Sequence, residues 1–403
     1  MRRRLASLAI GLLVGLALWI GNTPAAYAHG ERAQEAFLKM KTAAFFDVKF
    51  TTDHVKQGEP VTITGTVKIL ETWPKTLAEP EVGFLGVAAP GPKLFMTERT
   101  VNGVPTPGSV FIKKGGTYDF KIVLEGREVG RWHIHPIIAV QGSGALIGPG
   151  EWITVDAVPG YTKSLTLLDG QTVDFESYGK WFVIGLSVLG FALGVWWMIY
   201  WTWSKPTVTR LAVTNHLALN DDGSGVGMIT KKDHRFVNLV AAITVVFLAG
   251  GWAYSAQAYP TRIPQQVIRF QPPALADEPV LAKAEAKAAR FNVDTDTLTL
   301  DVQVTNVSTK PIQLADFTTA AFKFANQASG VKADHVLTVQ PDGAIAPGET
   351  KTLKVTMADS IWTSDRLMPL RESQMDVAGV LTFTAGGQSQ RVTIQSGLIP
   401  SRF

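Results

Sequence analysis

The run Gly130-Arg131-Trp132-His133-Ile134-His135-Pro136-Ile137-Ile138-Ala139-Val140 carries two histidines two residues apart. Its composition is that of a β-strand. At i and i+2 both imidazoles leave the same face, with Cα atoms about 6–7 Å apart, so both rings can reach one metal ion. Taken alone, the pair is explained equally well as decoration of an exposed strand. His29 adds weight to the metal reading. It follows Ala26-Tyr27-Ala28, which has the small-x-small form of a signal cleavage site. Cleavage there makes His29 the mature N-terminus, with a free α-amine (ordinary pKa about 7.7–8) beside its imidazole, and metal displaces the amine proton at neutral pH. His29, His133 and His135 form an all-nitrogen set, which suits Cu(II) best among the first-row divalent metals. Copper is the expected cofactor.

Other chemistries find less support. The chain has no cysteine, which excludes disulfides, a thiolate nucleophile, a zinc-finger site and a Cys-ligated electron-transfer copper. His54, His216, His234 and His335 read as surface or loop residues, as do Glu31 and Glu35, for which a supporting position beside the metal is the alternative. The glycines of Gly142-Ser143-Gly144-Ala145-Leu146-Ile147-Gly148 have the wrong spacing for a dinucleotide fingerprint. No H-E-x-x-H, Walker or Gly-x-Ser-x-Gly motif occurs. Basic residues interleaved with aromatics are also missing, so no nucleic-acid partner is expected.

The elements that must position these residues are mostly strands. Val61-Thr62-Ile63-Thr64-Gly65-Thr66-Val67 and Thr117-Tyr118-Asp119-Phe120-Lys121-Ile122-Val123-Leu124 alternate apolar and polar residues between glycine and proline turns. Leu298, Leu300, Val302 and Val304 do the same, as do Leu353, Val355 and Met357. Gly379–Phe383 and Arg391–Ile394 read as closing strands, and residues 265–272 as either a tether or a first strand. The expected fold class is mainly β, with two antiparallel β-sandwich domains of cupredoxin or immunoglobulin type. Residues 31–42 alone read as a short helical entry turn.

Three apolar segments address a membrane. Residues 1–28 have a basic start at Arg2, Arg3 and Arg4, an uncharged run and the cleavage site, and so form a signal peptide. Residues 181–203 and 236–259 hold no charge over 23 and 24 residues, longer than the ~20 needed to cross the hydrocarbon core. Aromatics crowd their ends as an interfacial belt. The connection 204–235 carries five basic residues against three acidic ones, which makes it cytoplasmic under the positive-inside rule. The domains at 29–180 and 260–403 are then both extracytoplasmic. The chain of 403 residues is 46% hydrophobic and 18% charged, with mean hydropathy +0.13, in keeping with membrane contact. Signal cleavage lowers the formal charge from +4 to +1, so the basic balance records targeting and topology, not an anionic partner.

The mature start His29-Gly30-Glu31-Arg32-Ala33-Gln34-Glu35-Ala36-Phe37, the strand Gly130–His135 and Ile147-Gly148-Pro149-Gly150-Glu151-Trp152-Ile153 closely resemble the B subunits of the particulate methane and ammonia monooxygenases. So do Thr166–Asp174 and Asp316-Phe317-Thr318-Thr319-Ala320. The likeness runs through the whole chain in the order signal, β domain, two spans, β domain. It implies two cupredoxin-like domains joined by two transmembrane helices. It also implies assembly with the A and C subunits into a trimer of heterotrimers in the membrane lipid. Such complexes use copper and O₂ to hydroxylate methane, ammonia or a short-chain hydrocarbon. His29, His133 and His135 fall on the family's copper-binding positions. Some members carry a further metal-binding histidine shortly after the first, where this chain has Thr42-Ala43-Ala44-Phe45. Two functions stay open: an oxygenase subunit carrying the reacting copper, and a non-catalytic copper-binding scaffold that supports an active site in a partner subunit.

Overall fold

The computed structural model describes residues 35–91, 93–167, 169–204, 230–260, 269–329, 335–370 and 375–401. The signal segment, His29, and most of 204–235 with His216 lie outside these residues. The described residues form two compact units, one drawn from Met1–Pro159 with Gln266–Phe403, the other from Gly160–Gln265.

The first unit opens with a short helix, α1 (Ala36–Lys41), followed by eleven strands. These are β1 (Ala43–Phe50), β2 (His54–Lys56), β3 (Pro60–Ile69), β4 (Val82–Ala88), β5 (Leu94–Val101), β6 (Val104–Pro105), β7 (Ser109–Phe111), β8 (Thr117–Gly126), β9 (Gly130–Val140), β10 (Gly144–Ile147) and β11 (Glu151–Asp156). One sheet runs β1-β3-β8-β5-β6; the other contains β7-β4-β9-β11-β2, with β10 beside β9. Their facing sides make one core. β3 contributes Val61, Ile63 and Val67, β8 contributes Phe120, Ile122 and Leu124, and β9 and β11 contribute Ile134, Ile138 and Ile153. The period-2 alternation of each strand selects these residues, because successive side chains leave opposite faces of the sheet.

Beyond the second unit the chain rejoins this sandwich. β14 (Arg269–Phe270) pairs in parallel with β7. Part of the stretch at 265–272 is therefore an edge strand of the N-terminal sheet, covering the backbone of β7.

Eight further strands then close on themselves: β15 (Ala282–Asn292), β16 (Thr297–Asn306), β17 (Gln313–Thr319), β18 (Phe322–Asn326), β19 (His335–Gln340), β20 (Thr350–Ala358), β21 (Asp376–Ala385) and β22 (Gln388–Ser401). The order is β15-β16-β20-β19-β18-β17-β21-β22. β15 and β22 meet in parallel, from Ala289 opposite Leu398, which leaves the barrel no open edge. Leu298, Leu300, Val302 and Val304 of β16 point inward with Leu353, Val355 and Met357 of β20, around Phe317, Phe383 and a stacked Phe324–Trp362 pair.

The entry helix packs on this barrel. Ala36 and Met40 belong to the barrel core. Lys41 Nζ lies 2.9 Å from Asp376 Oδ2, Lys39 Nζ donates to the Asp365 carbonyl at 2.7 Å, and the Phe45 N–H donates to the Ala320 carbonyl at 3.2 Å. The segment just after the expected mature N-terminus is thus tied to the C-terminal barrel.

The second unit holds a hairpin, β12 (Ser164–Thr166) with β13 (Thr172–Asp174), and two helices, α2 (Lys180–Ile199) and α3 (Lys231–Ala258). Both helical segments are long and apolar enough to cross a membrane, Lys180–Trp203 and Lys231–Ala258. Thr230 and Asp233 form a capping box at the start of α3, and Tyr200 stacks on Phe236 while donating to Asp233 Oδ1 at 2.6 Å. At the other end Tyr178 meets Tyr259 edge-on, and Phe182 lies against Tyr254.

Candidate metal centre

β9 lies between β4 and β11. Ile134 points into the sandwich core and is fully buried, so His133 and His135 leave the outer face of the same sheet. β10 and β11 both run antiparallel to β9, Ile147 opposite Ile137 and Glu151 opposite Ile134. Between these pairs Gly148, Pro149 and Gly150 face only His135 and Pro136. The one extra residue bulges the strand, and the ring of His135 fills the space beside the bulge. A Cβ on Gly150 would stand 2.5 Å from Nδ1 and Cε1 of that ring. His135 is accordingly only 4% exposed although it is on the outer face.

Hydrogen bonding fixes the ring's tautomer. Nδ1 of His135 lies 2.9 Å from the Gly148 carbonyl. A carbonyl only accepts, so Nδ1 carries the hydrogen and Nε2 of the neutral ring presents a lone pair. That Nε2 is 3.1 Å from Nδ1 of His133. Either one proton, on His133 Nδ1, or one cation can occupy the gap without two lone pairs opposing each other. At metal–nitrogen bonds of about 2.0–2.1 Å, two imidazole nitrogens on one ion lie about 3 Å apart at a near-right angle. The backbone carbonyl behind His135 is the usual outer support of a metal-ligating histidine. The residues present therefore fit a metal held between His133 Nδ1 and His135 Nε2.

His133 is bounded on one side by Trp152. The two are directly opposite in the β9–β11 register, and their rings stack at 4.8 Å between centroids with 23° between planes. The two imidazoles meet edge-on, at 4.3 Å and 77°. Among the described residues no group of three or more His, Asp or Glu side chains assembles. His29, the third residue of the expected set, lies outside them.

The remaining histidines are placed elsewhere. His54 begins β2, exposed, with Nε2 2.6 Å from Asp156 Oδ2. His234 is exposed on α3, its Nδ1 3.2 Å from the Thr230 carbonyl. His335 differs from the surface role expected of it. It is half-buried, with Nδ1 2.6 Å from Asp359 Oδ2 and its ring against Phe322 and Phe324, because β18 and β20 bring those partners to it. Glu35 is exposed at the start of α1. Gly148, Gly150 and Trp152 belong to the site through strand register and not through any metal-ligand motif. The signal available for them was Gly-Pro-Gly directly ahead of an aromatic-bearing strand.

Known proteins are similar to this chain in sequence over nearly its whole length. The family of monooxygenase B-subunit proteins matches residues 30–402. The particulate methane monooxygenase alpha subunit of Methylococcus capsulatus (strain Bath) is 33% identical over 407 residues, covering 98% of this chain and 97% of that one. Among solved structures, the cupredoxin domain of amoB from Nitrosocaldus yellowstonii matches 32% of this chain and 95% of its own, at 16% identity and a TM-score of 0.26.

Proposed function

The chain belongs to the monooxygenase B-subunit family, and from that premise we propose that it is the copper-carrying subunit of a membrane-bound monooxygenase complex. Its metal ligands are the amine and imidazole of a mature N-terminal His29, with Nδ1 of His133 and Nε2 of His135. The observation that carries this reading is the 3.1 Å approach of those two nitrogens, one of them held from behind by the Gly148 carbonyl. Its partners are the A and C subunits in a trimer of heterotrimers. Its substrates are O₂ and methane, ammonia or a short-chain hydrocarbon. Residues 29–180 and 260–403 form the two extracytoplasmic domains, with 181–203 and 236–259 as spans and 204–235 on the cytoplasmic side.

Copper bound here would supply one-electron redox chemistry and a Lewis-acid position for a small ligand. The chain itself does the positioning. The Gly148 carbonyl keeps the His135 proton on Nδ1 and leaves Nε2 unprotonated, and the backbone of Gly150 prevents the ring from turning away. His133 would lose any proton on Nδ1 to solvent if a cation took the gap. α1, which begins seven residues after His29 in the sequence, is tied to the barrel through Lys39 and Lys41.

A second reading is favoured by one observation. Trp152, beside His133, is 37% exposed, so among the described residues the His133 side of the pair is open to the surface of a β domain and is not enclosed in an apolar chamber. On that reading the copper supports the complex while oxidation occurs in a partner subunit. Mass spectrometry of the mature chain should find His29 as its first residue; a start elsewhere removes the amine chelate and overturns the ligand set. Turnover of methane, ammonia, ethane and butane by membranes holding the whole complex identifies the substrate. A complex that oxidises its substrate undiminished after loss of His133 and His135 would leave only the supporting reading.

A further inference from the structure

The two imidazoles are held by different means. His135 is fixed by backbone: its Nδ1–H bonds to the Gly148 carbonyl, and Gly150 crosses directly behind the ring. His133 has a flat aromatic neighbour instead. Trp152 stands opposite it across the β9–β11 pair, with the indole nearly parallel to the imidazole, and the Arg131 guanidinium lies 5.0 Å from the centre of the indole ring. Arg131, His133 and His135 are successive residues on one strand face, so cation, indole, imidazole and imidazole form a continuous row along the sheet. Trp152 belongs to no core cluster of the sandwich and remains more than a third exposed. Its contribution is therefore made on the outer face, where its ring contacts among the described residues are His133 and Arg131.

Orientation of His133 decides whether the pair can share a ligand ion. A half-turn of the imidazole about Cβ–Cγ would exchange Nδ1 for Cδ2 and turn a carbon toward His135 Nε2. A change of χ1 would carry the ring away altogether. The half-turn restores the ring plane and leaves the stack with Trp152 intact, so it is opposed by loss of the contact between Nδ1 and His135 Nε2. The change of χ1, or a tilt of the plane, breaks the stack, and stacked aromatic pairs resist such loss beyond their simple area of contact. The cation over the indole steadies Trp152 in turn.

Resting on the copper reading above, we propose that Trp152 is a positioning residue for the metal centre. It holds the rotamer and ring plane in which the His133 imidazole reaches His135, and through that ring it sets the ligand geometry of bound Cu(II).

The test uses the full-length chain purified in detergent and titrated with Cu(II) alone. Competition with a chelator gives the dissociation constant, and the electron paramagnetic resonance spectrum of the bound ion reports ligand geometry. Trp152→Leu, which keeps bulk but removes the ring, should weaken Cu(II) binding about two- to tenfold and shift the g and hyperfine values of the spectrum. Trp152→Phe, which can still stack, should restore both. A purely structural role would change the melting temperature and leave the spectrum of the folded fraction as in the wild type. Arg131→Gln, which leaves both rings in place, should shift the spectrum in the same direction by less, and it carries the test if Trp152→Leu does not fold. Wild-type affinity and spectrum in the Leu variant, or equal damage in the Leu and Phe variants, would overturn the proposal, as would an unchanged Arg131→Gln spectrum where that variant stands in. Failure of the underlying reading is distinct: His133→Ala would then bind Cu(II) as the wild type does. If His133→Ala loses the signal while Trp152→Leu keeps it, the copper reading stands and the positioning role falls.

Discussion

Gly150 passes so close behind His135 that a methyl group on its Cα would stand 2.5 Å from two atoms of the imidazole. The contact follows from a register mismatch in which three residues face two. The ring cannot remain in place unless position 150 lacks a side chain.

Gly150→Ala therefore addresses the site with little else disturbed. The backbone at Gly150 is not among the left-handed glycines, so alanine meets no conformational strain there, only the ring. The substitution should displace His135 from the Gly148 carbonyl and weaken copper binding about 10- to 100-fold, the usual effect of losing an outer support. Chelator competition on the full-length chain measures it. Unchanged affinity would mean that the cradle does not hold the ring.

The ion pair between α1 and the barrel gives a stability prediction. Lys41 is almost fully buried and its partner Asp376 three-quarters so, with Gln395 Nε2 also donating to the carboxylate at 3.0 Å. Removing one partner of such a pair strands a charge, which costs about 3 kcal/mol. Lys41→Met should lower the denaturant midpoint accordingly, and Lys41→Met combined with Asp376→Leu should recover most of the loss. A double variant no better than the single one would show that packing, not the stranded carboxylate, is at stake.

Asp316 of β17 gives a pH prediction. Burial pushes its carboxyl above the ordinary range, against the opposing pull of Lys323, Thr382 and Thr318. The folded state thus holds the proton more tightly than the unfolded chain does. The stability this contributes is complete below the unfolded pKa of about 3.9 and is lost as pH rises through the folded value. Asp316→Asn keeps the neutral form at every pH. It should be more stable than the wild type at pH 7, with the difference closing toward about pH 4. Thermal melts at the two pH values decide, and an equal penalty at both would contradict the assignment.

What was legible in the sequence was periodic or local. The H-x-H pair lies on a strand face because alternation fixes faces, and the inward residues of β3, β8, β16 and β20 follow from the same rule. The two long apolar helices were legible from the lack of charge over 181–203 and 236–259, although α3 begins five residues earlier, with Lys231, Lys232, Asp233 and Arg235 in its first turns. What escaped was non-local. That Gly150 backs His135, that Trp152 lies on His133, and that Lys41 is buried against Asp376 all depend on which strand lies beside which, and in what register. The crossing of β14 to the N-terminal sheet and the pairing of His335 with Asp359 are of the same kind. No spacing within a single segment encodes them.

If His133 and His135 hold the copper of this chain, the metal content of the protein must depend on them. The measurement is to load the full-length protein with Cu(II), remove loosely bound ion, and determine metal per chain in the wild type and in His133→Ala with His135→Ala. Bound copper is predicted in the wild type and background copper in the double variant, with unchanged circular dichroism. Equal copper in the two proteins would contradict that assignment.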